Sequence, residues 1–409
     1  MKGITQILTV FIFFSLSSTG QAHTQFFNRI NKMRSSLDEK GVVLEAAYTL
    51  DYFANTKGGL KRDDTYLTHS DLILTLDTKR LGLWDHGTFR VNMIDNSGGE
   101  KFTGDILGDT QGVSNIEAPR TTRIYELWYE HVFFEDKLSV LGGIHDYNSE
   151  FDVTEYGGLY VNSSFGIGPE ISKNARPSIF PLTAPAIRAK IIPNDQWQFL
   201  FGVYDGDPGD PNVDEHFPRS DFDHEGGAFI ATEAAYHLTG DVLPGFIKLG
   251  MWHNTGEFNH VTSVDNNGVP IKRDGNTGGY LVVDKMLYRE DVEHGSTEQG
   301  LGAFLQLGSN KKYVNEVNMY IGGGLNYRGL IPGRDQDEIG LAFAQARIND
   351  DLVDAGGRKD HETSIELTYK AQITEHISIQ PDFQYVIDPG AVSNVDDAFV
   401  VGARFEMAL

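Results

Sequence analysis

Polar side chains recur at every second position along many stretches of this chain, and some of them are well suited to bind a polar solute. These candidates are carboxylates, arginines, one amide and one indole: Glu45, Arg90, Asn92, Glu126, Trp128, Glu130, Arg188 and Glu366. Carboxylates and amides accept hydrogen bonds and arginine donates them in a planar fork, and all of these bonds exchange readily with water. We therefore predict weak, reversible solute binding, with Trp128 as a flat stacking surface.

The same residues do not form a recognisable catalytic arrangement. The chain has no cysteine, no His-Glu-x-x-His motif and no Gly-x-Ser-x-Gly motif. Glu126 and Glu130 could be compared with the paired carboxylates of glycosidases. On a strand, however, they lie on one wall and not on opposite sides of a substrate. We predict that the protein is not an enzyme and has neither a cofactor nor a metal site.

The elements that position these residues are predicted from strict alternation. In the C-terminal region, Ile365 and Leu367 alternate with Glu366 and Thr368. A period of two is typical of a β-strand, whose side chains point to opposite faces. Sixteen such runs are separated by breaks rich in Gly, Asp, Asn and Pro, and they centre near residues 48, 72, 91, 128, 142, 189, 200, 232, 250, 284, 304, 321, 343, 367, 381 and 402.

The N-terminal stretch has a different pattern. Met1 and Lys2 precede an apolar run over residues 7–14, and Gly20-Gln21-Ala22 offers small residues for cleavage, which predicts a signal peptide over residues 1–22. Residues 23–40 are predicted to form an amphipathic helix that ends at Gly41, because apolar residues recur there at helical spacing. No later stretch reaches the 18 or so consecutive apolar residues of a spanning helix.

Composition narrows the class of protein further. The formal net charge is −24, which argues against a nucleic-acid partner. The absence of cysteine excludes a disulfide framework in an exported chain. The acidic segment 205–225 offers oxygen ligands for calcium, but its spacing fits no EF-hand loop, and a solvated extracellular loop is the preferred interpretation.

The links between the predicted strands favour a membrane barrel. Short turns are predicted at 135–137, 193–196 and 374–376, and long connections at 150–185, 205–225 and 254–278. An even number of strands with alternately short and long links is typical of outer-membrane barrels. We predict an all-β fold: a transmembrane antiparallel β-barrel of about 16 strands over residues 41–409, preceded by the short helix.

Aromatic side chains on the apolar face support this interpretation. Tyr125, Leu127 and Tyr129 are predicted to share that face, and aromatic residues near strand ends would form girdles at the membrane surfaces. The alternative is a secreted soluble β protein that packs its apolar faces together and binds glycans on a polar sheet face.

Several short motifs, in a fixed order along the chain, are similar to those of one known family. They lie at residues 125–130 (YELWYE), 202–208 (GVYDGDP), 324–337 (GLNYRGLIPGRDQD) and 380–385 (QPDFQY). The chain resembles the carbohydrate-selective porins of Gram-negative outer membranes, the OprB-type family. The resemblance implies a sixteen-stranded barrel, inward loops that narrow the pore, and passive diffusion of sugars. The chain departs from many outer-membrane barrels because it ends in Leu409 and not in an aromatic residue.

With this resemblance, the polar candidates become pore-lining residues. We expect Glu45, Arg90, Glu126, Glu130, Arg188 and Glu366 at the constriction, with Trp128 as the surface on which a sugar ring stacks. The alternative for each is a solvated wall residue or a member of a transverse ion-pair network. The segment 150–185 is predicted to fold inward; an external loop that contacts lipopolysaccharide is the alternative.

The resemblance also implies partners and a location. We expect small sugars in transit, outer-membrane lipid and lipopolysaccharide as contacts, and the outer membrane of a Gram-negative bacterium as the location. Association into a homotrimer is left open. Within the porin interpretation, a general ion-conducting porin is the nearest alternative to a sugar-selective one.

Overall fold

The computed structural model describes residues 29, 32–99, 101–211, 213, 216–217, 226–240, 243–290 and 299–409. The predicted signal peptide lies outside these residues, and so does most of the first half of the predicted N-terminal helix. Residues 32–38 are helical, and the chain then turns at Gly41, whose φ is +82°. Within the described residues no helix is both long and apolar enough to cross a membrane.

Sixteen antiparallel strands form one closed barrel, and each strand pairs with its neighbours in the chain while the last pairs with the first. The strands are β1 (Val42–Gly59), β2 (Asp64–Asp77), β3 (Gly87–Gly98), β4 (Thr121–Phe133), β5 (Leu138–His145), β6 (Ala184–Asn194), β7 (Trp197–Asp205), β8 (Ala228–Leu238), β9 (Gly245–Val264), β10 (Pro270–Arg289), β11 (Gly300–Asn310), β12 (Val317–Arg328), β13 (Glu338–Ile348), β14 (His361–Thr374), β15 (Ile377–Ile387) and β16 (Asp396–Ala408). Each predicted strand centre falls inside one of them, so the predicted fold class is confirmed.

Short helices occupy some of the links. They are a π-helical turn at Phe102–Leu107, α-helical turns at Pro169–Ser172 and Asp350–Asp354, and 3₁₀ turns at Tyr147–Ser149, Tyr156–Leu159, Ser163–Phe165, Lys312–Val314 and Pro389–Ala391. Four of these lie in the link between β5 and β6, which is therefore compact and ordered.

The two faces of the strands divide as the alternation predicts. On β14, Glu366 is completely buried inside the barrel, whereas Ile365 and Leu367 on the outer face expose 38% and 46% of their surface. Large apolar side chains exposed in this way around a closed sheet suit a hydrocarbon environment. A sandwich of two sheets over a dry core is excluded, because one sheet closes on itself.

One strand departs from this simple alternation. Asn92 pairs with Glu126 and Met93 pairs with Ile124, so Tyr125 is an extra residue on β4, in a β-bulge. Tyr125 consequently turns into the barrel, where its ring lies 6.3 Å from that of Phe180. The prediction that Tyr125 shares the outer apolar face is wrong, because a bulge shifts the period by one residue.

The predicted long connection at 254–278 is also wrong. β9 and β10 continue through it as a paired hairpin, with Asn259 opposite Lys272 and Asn254 opposite Asn276. Polar residues and glycines give this stretch the composition of a loop, but the backbone groups of its two halves form hydrogen bonds with each other as paired strands. The link between the two strands is only the short turn at residues 265–269.

Candidate functional site

Two links fold into the barrel and pack against its inner wall. We call residues 146–183, between β5 and β6, the long inner segment, and residues 101–120, between β3 and β4, the short inner segment. Three clusters of buried apolar side chains lie between these segments and the wall. The lumen is therefore narrowed by ordered chain and not by side chains of the strands alone.

The long inner segment is held by carboxylates of the wall that accept hydrogen bonds from its backbone. The donors and acceptors are Asp146 N to Glu126 at 3.3 Å, Asp152 N to Glu233 at 3.0 Å, Glu155 N and Tyr156 N to Asp284 at 2.9 and 3.0 Å, and Val161 N and Asn162 N to Glu366 at 2.8 and 3.0 Å. These acceptors lie on β4, β8, β10 and β14 in turn. The first half of the segment thus follows the wall away from β4.

Apolar contacts fix the same segment. Tyr147 and Phe151 stack with ring centroids 4.9 Å apart, and both rings pack against Tyr204 of β7. Tyr147 also meets Phe229 of β8 edge-on at 5.2 Å. Aromatic pairs of this kind bury a large apolar area in a defined geometry. The segment is therefore a packed part of the barrel interior.

The short inner segment docks on β14 and β1. Thr110 and Gln111 donate backbone hydrogen bonds to Glu362 of β14 at 2.7 and 3.0 Å. Ser114 donates to Asp51 of β1 at 2.7 Å. The mostly polar sequence of this link did not predict the inward fold. Its signal was an apolar triplet inside an otherwise polar break: Phe102, Ile106 and Leu107, all buried.

Partly exposed charged groups remain where neither inner segment covers the wall. On the inner face of β2, β3, β4 and β6, the side chains of Asp71, Arg90, Glu130 and Lys190 keep 23%, 29%, 20% and 25% of their surface. Inner-face carboxylates on β8, β10 and β14, by contrast, are almost completely buried beneath the segments. The inner face from β2 to β6 is therefore partly accessible, and so is the ion pair of Lys370 on β14 with Glu406 on β16, whose side chains keep 31% and 30% of their surface.

Four of the predicted residues lie together on this wall; Arg90 and Trp128 are partly exposed, whereas Asn92 and Glu126 are buried beside them. Arg90 lies 3.4 Å from the carboxylate of Glu126, and Trp128 donates to the same carboxylate at 3.3 Å. Asn92 donates at 3.1 Å to Asp71, a residue outside the predicted set. We call these five residues the β3–β4 cluster.

The cluster extends along the wall toward β1. His69 lies 2.8 Å from Asp71 on β2. Glu45 is exposed and stands in the same row of paired residues as Ile73, Asn92 and Glu126, from β1 to β4. Because neighbouring strands are about 4.8 Å apart, Glu45 lies roughly 10 Å from Asn92. Glu45 is therefore a neighbour of the cluster, two strands away from Asn92.

Two further predicted residues form a second charged group. Arg188 is 2% exposed and binds Glu130 at 2.8 Å, Glu150 at 2.5 Å and Ser139 at 2.7 Å. Lys190 binds the other oxygen of Glu150 at 2.6 Å. Glu150 belongs to the long inner segment, so this group joins the segment to the wall. The formal charges of its two cations and two carboxylates cancel.

Glu366 does not line the accessible lumen, and that prediction is wrong. Its side chain is completely buried, and both of its oxygens accept backbone N–H groups of the long inner segment. The alternation correctly placed it on the inner face. It could not show that a link would cover that face.

The acidic segment is only partly described. Asp205, Asp207 and Asp210 lie in the described chain, whereas Asp214, Glu215, Asp221 and Asp223 fall outside it. In the part that is described, Ile124 of β4 donates a backbone hydrogen bond to His216 at 3.2 Å. No group of three or more acidic or histidine side chains is arranged for a metal ion within the described residues.

A closed sixteen-stranded barrel with an apolar exterior and a charged, narrowed lumen defines a porin of the Gram-negative outer membrane. Comparison with known families narrows the class. The family described as "Carbohydrate-selective porin, OprB family" matches residues 61–409, and this chain belongs to it. The predicted family, channel function and membrane location are confirmed.

Individual relatives agree with this placement. Porin B of Pseudomonas aeruginosa is 25% identical, with 91% of this chain and 88% of that protein covered. A putative porin, QuiX, of Acinetobacter baylyi is 23% identical, covering 91% of this chain and 90% of that one. The high-pH structure of Pseudomonas putida OprB has a TM-score of 0.80 at 22% identity, covering 92% of this chain and 96% of that one. That structure supports the fold.

Proposed function

We propose that saccharides diffuse passively through this barrel along the wall from β2 to β6, in contact with the β3–β4 cluster. The observation that carries this proposal is that Arg90 and Trp128, both partly exposed, meet at the carboxylate of Glu126. A sugar presents a ring of hydroxyl groups and a less polar face. The charged and amide groups can exchange hydrogen bonds with the hydroxyls, and the indole can pack against the ring.

Charge balance favours a neutral solute over an ion. Arg90 is paired with Glu126, His69 with Asp71, and Arg188 and Lys190 with Glu130 and Glu150. A ring of one sign would attract counter-ions, whereas mutually satisfied pairs create no strong net potential. The pairs can still exchange hydrogen bonds with a passing hydroxyl group. A general ion-conducting porin, which these balanced charges favour less, is the second candidate.

Weak binding is required for transport to proceed. A site that held the sugar with all of its hydrogen-bonding groups would slow its release. Here most of the polar groups already bind one another, so a solute replaces bonds and does not simply add them. This arrangement supports selectivity without tight retention.

Reconstitution into liposomes tests the proposal. Swelling should be faster with glucose and maltose than with an amino acid of similar size to glucose, because the amino acid carries charges that the paired groups do not attract. Equal rates for all three solutes would support the general porin instead. A Trp128→Ala variant should lose part of the preference for sugars.

Several other features remain proposals. Residues 1–22 would be removed on export and residues 23–40 would form a helix that leads into the barrel. The outward apolar side chains would contact acyl chains, with lipopolysaccharide at the outer rim. Cross-linking in native membranes would test association into a homotrimer.

A further inference from the structure

We propose that Glu362 and Glu366, two inward carboxylates of β14, are positioning residues that hold both inner segments and thereby set the largest sugar that can pass. The inference rests on the proposed function, because it concerns the same passage. It adds a role for two groups that the solute does not touch.

Glu366 holds the long inner segment by two bonds. One oxygen accepts the backbone N–H of Val161 at 2.8 Å and the other accepts that of Asn162 at 3.0 Å. The Asn162 side chain adds a bond to Gln384 of β15 at 3.0 Å. Glu366 and Asn162 are both completely buried, so no water competes for these groups.

Glu362 holds the short inner segment in the same way. Its two oxygens accept the backbone N–H groups of Thr110 and Gln111, and it also accepts that of Gly390 in the link between β15 and β16. Glu362 is completely buried as well. Two carboxylates four residues apart on one strand, about 13 Å from each other, thus each receive a pair of consecutive backbone N–H groups.

The two segments also bind each other, which joins their positions. Ser163 donates its backbone N–H to Gly112 at 2.9 Å, and Asn115 donates to Val161 at 2.9 Å. Gly112 has a φ of +77°, and a Cβ added there would lie 2.9 Å from the Ser163 hydroxyl. Releasing either segment from β14 therefore disturbs the other one too.

The chemistry of the site requires a carboxylate. Two converging N–H groups need two acceptor atoms, and a carboxyl group supplies both of its oxygens. Glutamine has nearly the same shape but turns one acceptor into an NH₂ donor. In a buried site that donor would face an N–H group, and both would be left unsatisfied.

The test compares Glu362→Gln, Glu366→Gln and the double variant with wild type. The matched control is Glu257→Gln, which removes a carboxylate of β9 that is 42% exposed and pairs with Lys272 of β10. Each folded barrel, recognised by its heat-modifiable migration on a gel, is reconstituted for swelling assays with sugars from one to four rings. We expect the larger sugars to enter the two β14 variants several-fold faster relative to glucose, with no change in the control.

A second readout does not depend on sugar transport. Ser364 lies between the two carboxylates and is completely buried, so a Ser364→Cys variant should resist a water-soluble thiol reagent. Adding Glu366→Gln should make that cysteine reactive, and adding Glu257→Gln should not. An unchanged size limit together with an unreactive cysteine would overturn the positioning role. If wild type passed no sugar, the proposed function would fail. The reactivity of the cysteine would still decide whether Glu366 holds the long inner segment.

Discussion

Arg404 on the last strand and Asp51 on the first form a two-point ion pair, with both N–O distances at 2.8 Å, at the seam that closes the barrel. The residues stand directly opposite each other in the register of β1 and β16, and both are buried. Ser114 and Asn115 of the short inner segment bind the same pair. One ion pair thus connects barrel closure to the narrowing of the lumen.

Removing one partner of this pair should destabilise the barrel. In Asp51→Asn, the buried guanidinium loses its counter-charge, and we expect a loss of about 3–5 kcal/mol in the free energy of unfolding. Urea unfolding in detergent or lipid measures it. Asp63→Asn, which breaks an ion pair with Lys61 that is about half exposed, should change stability far less, because solvent screens an exposed pair. Equal effects of the two substitutions would contradict the role of the seam.

Trp128 should contribute to sugar affinity within the channel. Trp128→Ala removes the flat apolar surface and its hydrogen bond to Glu126, and we expect the half-saturating sugar concentration to rise by roughly fivefold, or about 1 kcal/mol. Blockage of single-channel current by added sugar measures this concentration. Trp128→Phe, which keeps an aromatic face, should show a smaller change. Unchanged blockage in the alanine variant would remove Trp128 from the solute path.

Arg188 should control the ion preference of the channel. Arg188→Gln leaves Glu130 and Glu150 with Lys190 as their nearby cation, so the second charged group becomes net negative. The reversal potential in a potassium chloride gradient should shift toward cation selectivity. Arg347→Gln, at an exposed pair with Asp350, is the control and should leave the potential unchanged. A shift toward anions in Arg188→Gln would contradict this charge assignment.

Glu170 should make the stability of the long inner segment depend on pH. Burial raises the pKa of Glu170 from 4.5 to about 8. A carboxyl group with a raised pKa favours its neutral form in the fold, so its stabilisation is complete below about pH 4.5 and is lost as the pH rises through 8. Melting temperatures should therefore fall between pH 5 and pH 9 in wild type and fall less in Glu170→Gln. Parallel pH profiles in the two proteins would argue against this interpretation.

The barrel itself could be predicted because one physical signal repeats along it. Alternation with period two reports which side chains share a strand face, and that signal was strong enough to locate every strand. Tyr125 shows its limit, since a single extra residue in β4 moved the side chain to the opposite face. A bulge depends on register with the partner strand, and one strand's own sequence does not contain that information.

The candidate site could be predicted only in part, because the inner segments cover some residues of the inner face and leave others accessible. Arg90, Asn92, Glu126 and Trp128 were recognised and do meet, because neighbouring strands bring alternate residues together. Glu366 has the same residue type as Glu126 and the same alternation along its strand, yet the long inner segment covers it completely. Whether an inner-face carboxylate meets solvent or a backbone N–H depends on contacts between residues some 200 positions apart, and local pattern cannot reveal these.

The most direct test of the central claim uses the fact that the chain has no cysteine. A single cysteine is introduced by Arg90→Cys on the accessible wall, or by Ala344→Cys at a completely buried inner-face position. Glucose flux into liposomes is then measured before and after a bulky water-soluble thiol reagent. If sugars pass along the β3–β4 cluster, the reagent should reduce flux through Arg90→Cys and leave Ala344→Cys unaffected. Complete modification of the cysteine at position 90 with no loss of glucose flux would contradict the account.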